Sequence, residues 1–361
     1  MITVLKPTID EQTKQELLEV LDSGWWGQGP KTAEFEEKFA KFVKSPYAIG
    51  TNSGTSALDL SLKAYRIKGG ELITTPITFV ADAIVGEWNG MDVTFADVDE
   101  DTLCLDPKSV VVSKNTKAII TVDSHGRLAD IEGLRRKFDG LIIEDAAHAM
   151  YTPGAGLKAD ITIWSFQAVK TMPAGDGGMV TTKSKKIYDR LRTITWLGVE
   201  KTTYQRAGKR KYNWDYDIRQ ADGIKGNIND IVAVICLGQL SRINEMNSKR
   251  RVIQLLYNKA FEDIKQIKTP LFSHTVQYYT MQCERRNELS DFLASRNIAT
   301  SVHFKPLSEM TYWKKAIKRE LPVTNKVWKR LLSLPVHDAL TFEQVELITD
   351  SVRSFYRSKK S

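Results

Sequence analysis

Cysteine is scarce in this chain of 361 residues: Cys104, Cys236 and Cys283 lie far apart and are odd in number. That excludes a disulfide framework and argues against a zinc cluster, which needs closely spaced ligands. Histidine is nearly as rare, five residues without an HExxH-type pair, so no metal site is expected. No apolar run approaches the ~18 residues of a membrane span. The opening Met-Ile-Thr-Val-Leu-Lys does not read as a signal peptide, and the expected location is the cytoplasm. Internal repeats and low-complexity linkers are absent too.

What is there is ordinary globular material. Hydrophobic residues make up 42% and charged residues 27%, which rules out an intrinsically disordered chain. The length suits one large domain or a large and a small one, with core enough to fold without cross-links. Lys and Arg number 52 against 44 Asp and Glu, a net charge of +8. That balance suits nucleic acid or a small polyanionic substrate equally, and alone does not decide between them.

Short β-rich runs alternate with amphipathic stretches. The runs cover 47–51, 71–76, 92–99, 117–123, 141–145, 161–166 and 178–182, and helical patterns cover 56–65, 79–88, 131–138 and 185–193. The alternation predicts an α/β domain with a mainly parallel sheet and right-handed crossovers. Residues 201–225 then carry seven basic residues, interleaved with Tyr204, Tyr212, Trp214 and Tyr216. Residues 230–257 read as one long helix. The remainder reads as a smaller α+β unit with strands at 278–283 and 300–304 and helices at 288–296 and 343–356. The resulting division is a large domain over 1–245, including the N-terminal segment and the 200–226 loop, and a small one over 246–361.

In open α/β sheets ligands bind at the carboxyl ends of the strands, so reactive residues at those ends carry the chemistry. The first strand runs into Thr51-Asn52-Ser53-Gly54-Thr55-Ser56 and a helix. Such a hydroxyl-rich turn offers backbone N–H groups and a positive dipole end to a phosphate, although Ser and Thr also serve simply as helix caps. The fifth strand ends in Glu144-Asp145, which in isolation is no more than a strand-end turn. The sixth leads to Lys170, held between an apolar strand and the glycine-rich 175–178 turn, where backbone can approach closely. A phosphate cradle, a carboxylate and a lysine at one sheet edge are what pyridoxal 5′-phosphate requires. The lysine forms a Schiff base, and an Asp keeps the pyridine nitrogen protonated so that the ring is an electron sink. Phe79, after the second strand, supplies a flat aromatic for the ring face.

At this point the chain resembles the DegT/DnrJ/EryC1/StrS family of pyridoxal-phosphate-dependent sugar-nucleotide aminotransferases. The carriers are SGWWGQGP (23–30), NSGTSAL (52–58), PITFVA (76–81), IEDAAHA (143–149), SFQAVK (165–170), GDGG (175–178), GQL (238–240), HFKPL (303–307) and LSLP (332–335), in the family order. The resemblance implies the fold type I, aspartate aminotransferase-like architecture: a mainly parallel seven-stranded sheet in a large domain, plus a smaller C-terminal α+β domain. It implies that Lys170 is the Schiff-base lysine and proton shuttle, and that Asp145 partners the pyridine nitrogen. Thr55, Ser56 and Ser165 would hold the phosphate, Gly54 would belong to the same cofactor-binding site, and Phe79 would stack on the ring. His148, where many members have Gln, would contact the ring's 3′-oxygen, as in the branch that aminates C4 of a 4-keto sugar. Asn227, in the 223–227 segment, would reach the phosphate of the other subunit in a homodimer.

The implied reaction moves an amino group from an amino acid, by resemblance L-glutamate, to a nucleotide-linked 4-keto-6-deoxy sugar. Amination at C3 is the alternative. A sugar 3-dehydratase is disfavoured because dehydrating members replace the lysine with His, and Lys170 is present. The same lysine disfavours a non-enzymatic binder of nucleic acid, and no nucleic-acid or membrane partner is expected. Four positions depart from the family pattern: Gly226 lacks a Tyr, Asp123 and Leu197 replace His, and Asn325 stands where Glu is common. They bear on the sugar pocket more than on the cofactor site.

Overall fold

The central strands of the chain are apolar on both faces, and a strand that must be covered twice belongs inside a parallel sheet between helical layers. A computed structural model, which describes residues 1–207, 216–314 and 319–357, shows that arrangement. Seven strands, β1 (Tyr47–Thr51), β2 (Glu71–Thr74), β3 (Asp92–Phe95), β4 (Thr116–Val122), β5 (Leu141–Asp145), β6 (Ile161–Ser165) and β7 (Gly178–Thr182), form one sheet. Their order is β1-β7-β6-β5-β4-β2-β3, and β7 alone runs antiparallel to both its neighbours. Helices Gly54–Ala64, Ala81–Trp88 and Lys185–Ile194 cover one face through a core that includes Leu58, Leu60, Val85, Ile143 and Leu191. Helix Pro30–Phe42 and the start of helix Asp230–Phe261 cover the other through Phe35, Phe39, Trp164 and Phe166.

The second sheet is antiparallel: β8 (Ile267–Lys268), β9 (Tyr279–Cys283) and β10 (Leu331–Leu334), in the order β10-β9-β8. Helices Arg286–Ser295 and Phe342–Arg357 pack over it around Leu289, Leu293, Ile348 and Val352. The 32-residue helix Asp230–Phe261 joins the two regions, contributing Ala233 to Met246 to the first core and Ile253 to Phe261 to the second. Among the described residues no helix is long and apolar enough to cross a membrane.

Several elements differ from the sequence reading. Helices Glu11–Asp22 and Pro30–Phe42 escape it, because each buries only a narrow stripe. The second has Gly29 at its N-cap with no side chain to offer, and Asp230 takes over that function from a distance. Its carboxylate accepts the N–H groups of Gly29, Lys31 and Thr32 at 2.8, 3.1 and 2.9 Å and the Thr32 hydroxyl at 2.7 Å. The expected strand over 300–304 does not form. Ser301 makes a single bridge to Ser333, after which the chain turns so that Leu307 N–H reaches Pro76 O at 2.8 Å. That turn carries His303 and Phe304 to the carboxyl edge of the large sheet.

Candidate active site

The carboxyl ends of β5 and β6 meet the N-terminus of helix Gly54–Ala64 around a cavity of about 500 Å³. At the helix N-terminus Ser53 is extended, and its hydroxyl accepts the Ser56 N–H at 3.0 Å. The first-turn amides of Gly54 and Thr55, which have no acceptor within a helix, line the cavity. Ser165 stands against the same turn, since a Cβ on Gly54 would sit 3.3 Å from its Oγ. Gly178 makes the arrangement possible: any side chain there would lie 2.6 Å from the Ser53 backbone.

Lys170 comes from the loop that folds back between β6 and β7. Phe166 N–H bonds Gly177 O at 2.9 Å, Ala168 N–H bonds Gly175 O at 3.0 Å, and Lys170 N–H bonds Gln167 O at 2.8 Å. Gly175 and Gly177, at φ of 90° and 134°, supply the turn that a side chain would strain. Gln277 then grips the loop on both sides of the lysine. Its Oε1 accepts Thr171 N–H at 2.9 Å and its Nε2 donates to Val169 O at 2.7 Å.

Burial depresses the Lys170 ammonium below its ordinary range, against the pull of the Asp145 and Asp82 charges. Asp145 ends β5 with its Oδ1 accepting Ala147 N–H at 2.8 Å. Burial raises its carboxyl, while Lys170 and that N–H pull it back. His148 is buried and lies parallel to Phe304, with ring centroids 6.0 Å apart. His303 is stacked on Tyr278 at 3.7 Å, and His125 Nε2 meets His303 O at 3.0 Å. Burial, and then the Lys170 charge, keep His148 and His303 neutral, the latter with its pKa at about 3.

Two features of the cavity suit a flat ring bearing a polar substituent. Phe79 is 59% exposed, a large apolar ring facing open space on the cavity wall. His148 Nδ1 is buried without any protein partner. Pyridoxal phosphate has the matching parts: a phosphate for the helix terminus, a ring for Phe79, a basic nitrogen for Asp145 and an aldehyde for Lys170.

A model of the DegT/DnrJ/EryC1/StrS aminotransferase family matches residues 7–353. The chain belongs to this family. The enzyme is 34% identical over 375 residues to the spore coat polysaccharide biosynthesis protein SpsC of Bacillus subtilis, covering 97% of this chain and 96% of that one. Among solved structures it is similar to the sugar aminotransferase CalS13 of Micromonospora echinospora, at 27% identity and a TM-score of 0.88 over 98% of this chain and 100% of the other. It is similar also to Helicobacter pylori PseC, an aminotransferase involved in pseudoaminic acid biosynthesis, at 25% identity and a TM-score of 0.90 over 99% of each chain. A Streptococcus pneumoniae putative sugar aminotransferase, Spr1654, solved with its pyridoxal phosphate, gives 27% and 0.89 over 99% of each. The enzyme is a pyridoxal-phosphate-dependent aminotransferase of fold type I.

Of the residues singled out from sequence, Gly54, Thr55, Phe79, Asp145, His148, Ser165 and Lys170 line the one cavity. Ser56 stands a step along the helix, its N–H and hydroxyl both engaged with Ser53. Asn227 lies apart, in a second cavity of about 720 Å³ with Trp25, Trp26, Asn52, Trp196 and Lys225. It does not cap the long helix, whose N-cap is Asn229. Asp123, Leu197, Gly226 and Asn325, which depart from the family pattern, do not line the first cavity. Asp123 faces Glu144 instead, on the opposite side of β5 from Asp145. Sequence reasoning missed Asp82, Tyr278, Gln277 and His125. His303 lay within a quoted motif but carried no stated role. For Gln277 no local signal exists, because its partners lie 106 and 108 residues away.

Proposed function

We propose that this enzyme moves an amino group from L-glutamate to the C4 ketone of a 4-keto-6-deoxy sugar carried on a nucleoside diphosphate, in the making of a deoxyamino sugar. The observation that carries the amino-transfer reading is the depressed Lys170 amine facing Asp145 across a cavity fitted for the cofactor. Bound there, pyridoxal phosphate supplies the electron sink through which nitrogen passes from amino acid to ketone. The chain's own contributions follow from position. Gly54, Thr55 and Ser165 hold the phosphate, and Phe79 covers one ring face. Asp145 holds a proton on the ring nitrogen, and His148 stands by the 3′-oxygen. Burial disfavours the charged form of Lys170, which favours its accepting and returning the proton at the reacting carbon, a task an exposed ammonium does poorly.

The sugar is supported by the relatives: one acts in spore coat polysaccharide biosynthesis, and others are described as sugar aminotransferases. The diphosphate is supported by the net charge of +8 and by Lys201, Arg206, Arg219 and Lys225. Lys209, Arg210, Lys211, Tyr212 and Trp214 lie outside the described residues. C4 as the position rests on His148 and the 223–227 segment. The test loads the enzyme with L-glutamate to convert the cofactor to its amine. It then presents a panel of 3-keto and 4-keto nucleotide sugars and follows the return of aldehyde absorbance. Return with a 3-keto sugar alone, or with none, refutes the assignment.

The working unit in this reading is a homodimer with shared sites. Its support is the second cavity, where Asn227 and Lys225 stand beside Trp26, a ring 53% exposed, and Ile231. Mixing inactive Lys170→Ala with an inactive Asn227 variant restores one competent site per mixed dimer if sites are shared. No recovery despite proven subunit exchange refutes it.

A further inference from the structure

Asp82 has no part in the reaction just described, yet it lines the same cavity. It lies in the first turn of helix Ala81–Trp88 and is 1% exposed. Its carboxyl shares the wall of that cavity with Asp145, and each acts on the other's ionisation. Oδ2 accepts the Thr78 hydroxyl at 2.6 Å, while Oδ1 is buried and finds no donor. A native protein rarely leaves such an oxygen without a partner.

Two carboxyls at one buried wall, sharing the charge of one lysine, do not both ionise. Asp145 has the better claim to the charge, with Lys170 and the Ala147 N–H on its side. Asp82 has the Thr78 hydroxyl and a weaker share of Lys170. The proton therefore belongs on Asp82 Oδ1, and as an O–H that atom gains the partner it otherwise lacks. We propose that Asp82 is a positioning residue, a neutral carboxylic acid whose Oδ1–H donates to the Asp145 carboxylate and holds it toward the cofactor's ring nitrogen. This rests on reading Asp145 as the ring-nitrogen partner.

Burial first, and then the Asp145 charge, push the Asp82 carboxyl well above the usual range. The remaining titratable groups of the cavity are His148, Lys170, Asp176, Tyr278 and His303. The elements packed on this helix bring their charges to its other end. Asp59 bonds the helix C-cap Asn89, with Lys63 on Asp59, while Glu71 and Asp92 open β2 and β3. Ionising Asp82 at high pH places a second anion against Asp145 and removes the donor. Asp82→Asn keeps a donor in place at every pH.

The test is made on the holoenzyme. Infrared difference spectra of wild type against Asp82→Asn should show a protonated-carboxyl band at neutral pH that the variant lacks. Cofactor dissociation constants of the two should agree within about threefold at neutral pH and diverge above it. Asp82→Ala, with its fold checked by circular dichroism, should bind cofactor on the order of tenfold more weakly, as loss of a hydrogen bond to a charged acceptor requires. Absence of the acid band overturns the proposal. So does an Asp82→Asn enzyme that already binds as weakly as Asp82→Ala, or that tracks wild type through alkaline pH. If Asp82→Ala does not fold, the band and the Asp82→Asn titration decide. Asp145→Asn separates the underlying reading: unchanged cofactor affinity and spectrum in that variant, with the acid band still present, refute the role of Asp145 and not the protonation of Asp82.

Discussion

Replacing Gln277 with Leu tests how far catalysis depends on a residue remote in sequence. Gln277 is wholly buried and bonds Thr171 N–H at 2.9 Å and Val169 O at 2.7 Å, the peptide groups on either side of Lys170. Leucine has nearly the same volume, so the change removes hydrogen bonds without opening a cavity. Each backbone group left buried and unpaired costs about 1–3 kcal/mol. Leucine's apolar atoms return roughly 1 kcal/mol, so a net loss near 3 kcal/mol is expected, a large part of a typical folding free energy. Catalysis should suffer separately. A loop freed at both flanks lets the Lys170 amine drift, and a misplacement of about 1 Å costs on the order of 100-fold in rate. Urea unfolding followed by circular dichroism reads the first effect. Single-turnover conversion of the cofactor by L-glutamate reads the second. A stability loss below about 1 kcal/mol refutes the hydrogen-bond argument. A full stability loss with an unchanged single-turnover rate refutes the link to Lys170.

Lys170→Ala should retain cofactor through its phosphate contacts yet lose turnover by several orders of magnitude, since it removes both nucleophile and proton carrier; substantial residual turnover contradicts the assignment. Gly178→Ala forces the Ser53 backbone away from a new Cβ that would lie 2.6 Å from it. Cofactor affinity should fall about tenfold, within the range of overpacking costs, and equal affinities by equilibrium titration would show that the phosphate turn is not shaped by that contact. His303 titrates near 3 in the fold and near 6.5 when unfolded. The unfolded chain therefore binds the extra proton between those values, and stability is lost as pH falls from 6.5 toward 3. One such histidine contributes a slope of about 1.4 kcal/mol per pH unit over that window. His303→Gln should flatten the wild-type pH dependence of the unfolding free energy, measured by urea titration, by that amount; an unchanged slope between pH 6 and 4 rules it out.

The enzyme's large sheet was legible because its signal is local. Leu141-Ile142-Ile143 is apolar on both faces, so its place in the middle of a sheet is written in consecutive residues. The same holds for the turn after β1, Asp145 at the end of β5 and Lys170 beyond β6, since each lies within a few residues of the strand that positions it. Narrow amphipathic stripes were less legible, and helices Glu11–Asp22 and Pro30–Phe42 passed unseen although Asp10 caps the first and Pro30 opens the second. Tertiary structure alone decided the pairings between distant segments. Asp230 caps a helix that begins at Pro30, and Gln277 grips the loop of Lys170. The 300–304 run gives up its strand to deliver His303 and Phe304 to the cavity. Asp82 meets Asp145 only because the helix after β2 and the end of β5 converge at one sheet edge. Periodicity and capping are properties of near neighbours and so survive in a linear sequence. Which buried donor meets which acceptor depends on register and packing across the sheet, and that information exists only once the chain has folded.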